Sequence, residues 1–240
     1  MSTDGARDVF LAGETVDLIA PDERAVEADG WHAWFNDPDV TRHLVNMGLF
    51  PNSRAQQREK LANLRQPGQN ALVLLVLPKG GAGVIGVAHL KDIDFITRQA
   101  HFGLIMGSRE RSGNAVFEGL ETKALMVQHA FDTLGLERVW GEQCVELEAW
   151  QRYQVLFGFL PEGIHRGAFR KGQKRSDTVS TSCLVEEYQR IKALRNGAYW
   201  PGKKALLALM RDLPKESVVD AVDTAIRRAN VRHMKKVRLA

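Results

Sequence analysis

The sequence predicts a mixed-sheet α/β (α+β) domain carrying a helical tail. Three observations point there. Hairpin-forming strands are interleaved with single long helices. Regular strand–helix alternation of a doubly wound nucleotide fold is missing. The charge splits sharply between a main body and a C-terminal segment. The 240 residues suit one large domain or one domain plus an appendage. With 44% hydrophobic and 26% charged residues there is material for a real core, which excludes wholesale disorder. The longest apolar run, Ala71 to Pro78, is too short to cross a bilayer. Cys144 and Cys183 cannot build a disulfide framework, and two thiols with seven scattered histidines give no metal-ligand cluster. The expectation is a cytoplasmic protein without a metal.

Taken in order, residues 1–13 read as a flexible N-terminus. Thr15 to Ala20 alternates as a strand, and Pro21-Asp22 opens a helix through Trp31, Trp34 and Phe35. Asn36-Asp37-Pro38 breaks it, because the residue before proline leaves the helical region. Asp39 to Leu44 is a second helix, and Ser53 caps a third that ends near Leu64. Ala71 to Leu77 and Val84 to Leu90 form a hairpin across the turn Lys79 to Gly83, and Asp92-Ile93-Asp94 turns again into a strand from Ala100 to Met106. Leu120, Ala124, Val127 and Phe131 line one face of a helix from Ala115 to Leu134, which Gly135 terminates. A strand from Arg138 to Val145, a helix from Glu148 to Phe157, and strands near Phe159–Phe169 and Asp177–Val185 complete the body.

Residues 189–240 hold 13 Lys/Arg against 4 Asp/Glu, a net of +9, while residues 1–188 hold 20 against 25, a net of −5. The basic character therefore belongs to the tail. A stripe of Val218, Val222, Ala225, Ile226 and Ala229 requires its last helix to dock on something. Few aromatics accompany the charge, so neither nucleic acid nor membrane is expected as a partner.

Two motifs are set aside. Gly81-Ala82-Gly83-Val84-Ile85-Gly86 fits G-x-G-x-x-G, but a strand follows where a dinucleotide loop needs a helix. Asp92-x-Asp94 offers two carboxylates for a divalent ion, but a turn between strands favours Asp for local reasons. The segment Ile105 to Ala115 says more. Small residues flanked by Arg109 and Arg111 lead into a helix N-terminus, where free N–H groups and the positive helix end converge. That arrangement suits a phosphate or pyrophosphate, and it equally suits a plain capped helix start.

Here the chain resembles the GCN5-related N-acetyltransferases (GNAT), in the subgroup of ribosomal-protein and spermidine acetyltransferases. The likeness rests on Ile85-Gly86-Val87, Asp92-Ile93-Asp94, Ala100 to Gly107, Ala130-Phe131, Leu134 to Val139, Gly158-Phe159, Glu162-Gly163, Arg166, Asp177 and Glu187, and on Trp34, Asn36, Asp37 and Val40 of the opening helix. It spans about Thr15 to Tyr188, and its pattern is similar in particular to enzymes that acetylate amino groups of nucleotide-linked deoxysugars, as in the pseudaminic-acid pathway. The resemblance implies a GNAT domain over residues 14–188 with a basic helical extension over 189–240. It implies acetyl-CoA as cosubstrate, with Leu104, Ile105 and Met106 holding the pantetheine arm and Arg109, Arg111, Ser112, Gly113, Asn114 and Ala115 holding the pyrophosphate.

The family loop pattern is Arg/Gln-x-x-Gly-x-Gly/Ala. This chain has Glu110-x-x-Gly113-x-Ala115, so Glu110 is expected to point away. Leu147 and Gln154 stand where the family often has Asn and Tyr. Tyr153, adjacent to that acid position but turned about 100° along a helix, is the candidate acid in its place. His101 stands where relatives often carry Glu and is the expected general base, with Glu142 a lesser candidate. Trp34, Asn36, His89 and Arg166 are expected to line the acceptor site. The expected reaction is direct acetyl transfer to a primary amine, best the 4-amino group of a UDP-linked amino-deoxysugar. A polyamine or a protein N-terminus is the alternative acceptor, and a catalytically impaired CoA-binding scaffold is the alternative of another class. The extra helices suggest a homodimer.

Overall fold

The computed structural model describes residues 7–64, 66, 70–81, 83–107 and 114–237. The chain runs through β1 (Val9–Ala12), β2 (Val16–Ile19), α1 (Glu23–Glu27), α2 (Trp31–Trp34), α3 (Pro38–Thr41), α4 (Arg54–Leu64), β3 (Leu72–Pro78), β4 (Gly86–Asp94) and β5 (Gln99–Met106). It continues through α5 (Ala115–Gln128), β6 (Arg138–Cys144), α6 (Glu148–Gln154), β7 (Leu160–Lys171), β8 (Lys174–Leu184), α7 (Val185–Leu194), α8 (Lys203–Asp212) and α9 (Val218–Val237). One eight-stranded sheet results, ordered β1-β2-β3-β4-β5-β6-β8-β7. Every neighbouring pair is antiparallel except β5 and β6.

Each face of the sheet carries its own core. On one face Leu74, Val76, Ala88, Leu90, Ala100, Phe102 and Val139 pack under Leu120, Ala124 and Val127 of α5. On the other, Ile19, Leu75 and Val87 pack under Ala25, Val26, Trp31, Trp34, Phe35 and Leu61 of the early helices. The alternation of β3 explains this division, since successive side chains point to opposite faces. Glu121 of α5 is buried, and it ties the connection between β1 and β2. Its carboxylate accepts from the backbone N–H of Glu14 and Thr15 at 2.5 and 2.6 Å.

Four sequence expectations change. Val9–Ala12, inside the terminus expected to be loose, pairs as an edge strand with β2. The helix expected through Pro21 to Phe35 is two short ones, because Gly30 sits at φ +70° and breaks it. Asp92-Ile93-Asp94 belongs to β4, with a register shift between Lys91 and Asp94, and the turn follows it. Asp94 builds that turn by accepting from the N–H groups of Ile96 and Thr97 at 2.8 and 3.1 Å. The extension is partly core: Tyr199 and Leu206 are fully buried, and Tyr199 donates to the Phe157 carbonyl at 2.6 Å. The last helix, α9, lies against β7 and α6.

Candidate active site

The parallel pair β5 and β6 is joined only at its start. Gln99, Ala100 and His101 pair with Arg138, Val139 and Trp140. Past that point β5 keeps its antiparallel ladder to β4 as far as Met106, and β6 keeps its ladder to β8 as far as Cys144. Among the described residues, 102–106 and 141–144 therefore have no ladder partner on their facing edges. Alternate backbone N–H and C=O groups along this wedge need partners from elsewhere. Leu104, Ile105 and Met106 are half-buried along one wall.

Beyond the wedge, Gly107 donates to the Ile85 carbonyl at 2.8 Å. A side chain there would land inside the Trp34 indole, so only glycine fits. Arg109, Arg111, Ser112 and Gly113 lie outside the described residues. Asn114 and Ala115 open α5, whose first N–H groups have no partner within the helix, and Glu118 N donates to the Asn114 carbonyl at 2.9 Å. Lys203, from the extension, reaches this turn: its ammonium donates to Asn114 Oδ1 and lies 5.2 Å from the Phe117 ring centre. Glu14 holds Lys203 there, accepting from its backbone N–H at 2.9 Å and from Trp200 Nε1 at 2.8 Å. No sequence signal marks Lys203, which is separated from Asn114 by 89 residues.

At the wedge apex stands His101. Its ring meets Trp140 edge-on at 4.7 Å and stacks on His89 at 6.0 Å. Gly103 makes room for His89, since a methyl at Gly103 would fall on that imidazole. Burial, then Lys91, pushes the His101 pKa below its ordinary 6.5, with Asp92 and Glu142 opposing. Burial, then Lys91, His101 and Lys60, lowers His89 to about 3. Both rings are therefore neutral near pH 7. Lys60 lies 5.0 Å over Phe35, its pKa lowered by burial and then by Lys91. This face of the sheet thus gathers two histidines and two lysines. Glu142 bridges Thr178 Oγ1 and His165 Nδ1, the latter at 3.2 Å.

A cleft of about 840 Å³ opens at the end of the sheet opposite the Gly107 turn, lined by Asp92, Gln99, Arg138, Trp140 and Ser180 among others. Trp140 belongs both to this cleft and to the His101 contact. His101 therefore sits between the cleft and the wedge.

Other expected residues lie apart. Tyr153 is half-buried beneath the Arg152 guanidinium, 5.1 Å from its ring. Gln154 faces inward instead and accepts from Lys123 Nζ at 2.6 Å. Trp34 is 7% exposed and packs on Gly107. Asn36 exchanges two hydrogen bonds with the Asn52 backbone, at 2.6 and 2.8 Å. Arg166 is exposed on β7, within a register shift between His165 and Phe169. Lys171, at the same hairpin, ties Thr41 and Met47 carbonyls at 2.6 and 2.7 Å.

The fold also brings together what the sequence scatters. His43, Cys144 and Glu146 place ligand-type atoms within 4.8 Å of one another. Lys174 already sits 3.3 Å from the Glu146 carboxylate, and burial raises the Cys144 pKa, so the set disfavours a cation.

A parted parallel pair, with the N-terminus of α5 next among the described residues, meets an independent match: residues 18–149 fit the model of the acetyltransferase (GNAT) domain. The chain belongs to the GNAT acetyltransferase family. It is an N-acetyltransferase, and its mixed sheet is the GNAT fold. No curated protein sequence matches it significantly. Among solved structures, a putative acetyltransferase from T. thermophilus is 26% identical with TM-score 0.59, over 81% of this chain and 97% of that one. Spermidine N-acetyltransferase from Vibrio cholerae, in complex with CoA and spermine, shares the fold at 19% identity and TM-score 0.63, over 74% and 99%. The ribosomal L7/L12 alpha-N-protein acetyltransferase RimL shares it at 19% and 0.59, over 77% and 98%. Among the described residues no helix is long and apolar enough to cross a membrane.

Proposed function

We propose that this GNAT enzyme transfers acetyl directly from acetyl-CoA to a primary amine on an acceptor that also carries negative charge. The best candidate is the 4-amino group of a nucleotide-linked amino-deoxysugar. The wedge supports acetyl-CoA: the edge of residues 102–106 that faces β6 without a ladder partner suits the amide-rich pantetheine arm. Asn114, Ala115 and the Lys203 ammonium suit its diphosphate, and the family resemblance adds Arg109, Arg111, Ser112 and Gly113, which precede them in sequence. Cys144 is buried with a raised pKa, which disfavours a thiolate nucleophile and favours direct transfer.

The observation that carries the acceptor reading is the sign of the charge beside His101. Lys91 and Lys60 both lower the His89 pKa there, and Lys91 lowers that of His101 against the opposing carboxylates of Asp92 and Glu142. An acceptor phosphate would be drawn to those two ammonium groups, whereas a polyamine would be repelled by them. Trp140 in the neighbouring cleft offers an aromatic face for a sugar or base.

In the reaction, the amine nitrogen attacks the thioester carbon as the C–S bond breaks. His101, neutral at pH 7, takes the surplus proton from nitrogen, directly or through water. The test is thiol release from acetyl-CoA with a panel of UDP-amino sugars, spermidine and N-terminal peptides. Turnover at least tenfold faster with the phosphate-bearing amines is expected. A preference for spermidine would overturn the acceptor assignment. CoA binding with no turnover on any amine would favour the scaffold alternative.

A further inference from the structure

We propose that Lys123, paired with Gln154, is the proton donor to the coenzyme sulfur as the thioester breaks. The proposal rests on the acetyl-CoA reading above. It addresses what supplies the proton in a chain with glutamine at the expected acid position.

Lys123 stands in the third turn of α5, 2% exposed, among groups that cannot neutralise it. Its Nζ carries three N–H bonds as an ammonium. Among the described residues one acceptor meets them, Gln154 Oε1 at 2.6 Å. Three aromatic rings surround it, with centres at 3.2 Å for Phe159, 5.3 Å for Phe102 and 5.5 Å for Trp150. Such a cage favours a cation while leaving it without a counter-ion. Gln154 is itself 1% exposed, and its Nε2 is buried with no hydrogen-bond partner. Two adjacent donors are thus buried and under-used, a costly arrangement for a merely structural pair.

Their location supplies a purpose. Phe102 is the first residue past the last β5–β6 ladder pair, so its ring marks the wedge apex. Trp150 packs toward Leu104 and Gly119, which ties the same cage to the wedge wall. Lys123 and Gln154 therefore lie on the α5 side of the apex, and His101 lies on the opposite face of the sheet. The thioester is expected between them. When the nitrogen–carbon bond forms and the carbon–sulfur bond breaks, sulfur leaves with the electron pair. It takes a proton from Lys123 Nζ. The proton lost by nitrogen departs on the other face through His101, and Lys123 is reprotonated as products leave, so charge balances. Burial lowers the Lys123 pKa from its ordinary value, with Cys183 opposing. The titratable neighbour acting on it is Cys183, whose thiol burial pushes to about 12 and so keeps protonated.

The test needs no acceptor. CoA is bound to the wild-type protein and to Lys123→Met, and the bound thiol is titrated by thiolate absorbance near 240 nm. An ammonium at the sulfur should favour the thiolate, so the wild-type midpoint is expected at least about one pH unit below that of Lys123→Met. CoA affinity should stay within about threefold, and Tm should hold or rise, since methionine replaces a buried charge with an apolar chain of similar length. Lys123→Gln, neutral and polar, gives the same comparison should methionine unfold the protein. In turnover, Lys123→Met should lose about 100-fold in kcat with the KM for acetyl-CoA little changed. Identical thiol midpoints in wild type and variants would overturn the proposal while leaving the acetyl-CoA reading intact. No CoA binding to the wild type would remove that reading, and the proposal with it.

Discussion

Gly107 joins the wedge to the helix that follows, and its tolerance is set by one indole. A methyl added at Gly107 would coincide with Cδ2, Cε3 and Cγ of Trp34. Carbon atoms in contact prefer about 3.5–4.0 Å, so the ring would have to move by roughly its own half-thickness or more. It has nowhere to go: Trp34 is 7% exposed and shares its cluster with the buried Phe35, Leu75, Val84 and Val87. Overpacking of this kind costs about 1–3 kcal/mol, and the depth of the overlap places Gly107→Ala near 3 kcal/mol. Trp34→Leu should itself destabilise, but it frees the space, so Gly107→Ala should cost under about 1 kcal/mol in that background. The resulting coupling of about 2 kcal/mol is read from urea unfolding of the four proteins in the double-mutant cycle. Additive costs, or a Gly107→Ala cost below about 1 kcal/mol with Trp34 present, would refute the packing argument.

Three further outcomes are expected. His89 is neutral when folded down to about pH 3 and protonates near 6.5 when unfolded. Its contribution is therefore complete above pH 6.5 and is lost as pH falls, by about 2 kcal/mol between pH 7 and 5; His89→Leu should lose that much less over the same range in chemical unfolding. His101→Ala should lower kcat by about 100-fold and abolish an acid limb lying below pH 6.5, while activity within a few-fold of the parent removes His101 from the mechanism. Lys203→Gln should raise the KM for acetyl-CoA several-fold with kcat unchanged, and the effect should shrink in high salt; an unchanged KM separates the extension from the coenzyme site.

Long, strongly patterned elements were legible in the sequence. The apolar run at β3, the hairpin into β4 and the stripe of Leu120, Ala124 and Val127 in α5 all report burial directly, because periodicity of two or 3.6 is what a buried face imposes. Edges were not legible. Val9–Ala12 is largely exposed, so no buried face leaves its mark on that strand. Gly30 gives no sign of whether it interrupts or merely punctuates a helix. Within the site, His101 was singled out by the family resemblance, as the histidine standing where relatives often carry Glu. Lys203 and Lys123 were not, since a lysine in a helix reads as solvated. Only the fold brings Lys203 to Asn114 and Lys123 to Gln154, 31 residues away. Asn36 and Trp34 show the reverse: polar and aromatic residues that suit a substrate also suit a loop tie and a buried floor.

The central claim is that the parted strands β5 and β6 grip acetyl-CoA. Hydrogen–deuterium exchange with and without the coenzyme measures this directly, because ladder-free amides exchange unless a ligand engages them. Slowed exchange concentrated in residues 102–107, 114–118 and 141–145 is the expected result. Unchanged exchange in those three stretches, at coenzyme concentrations that saturate a thermal shift, would contradict the account.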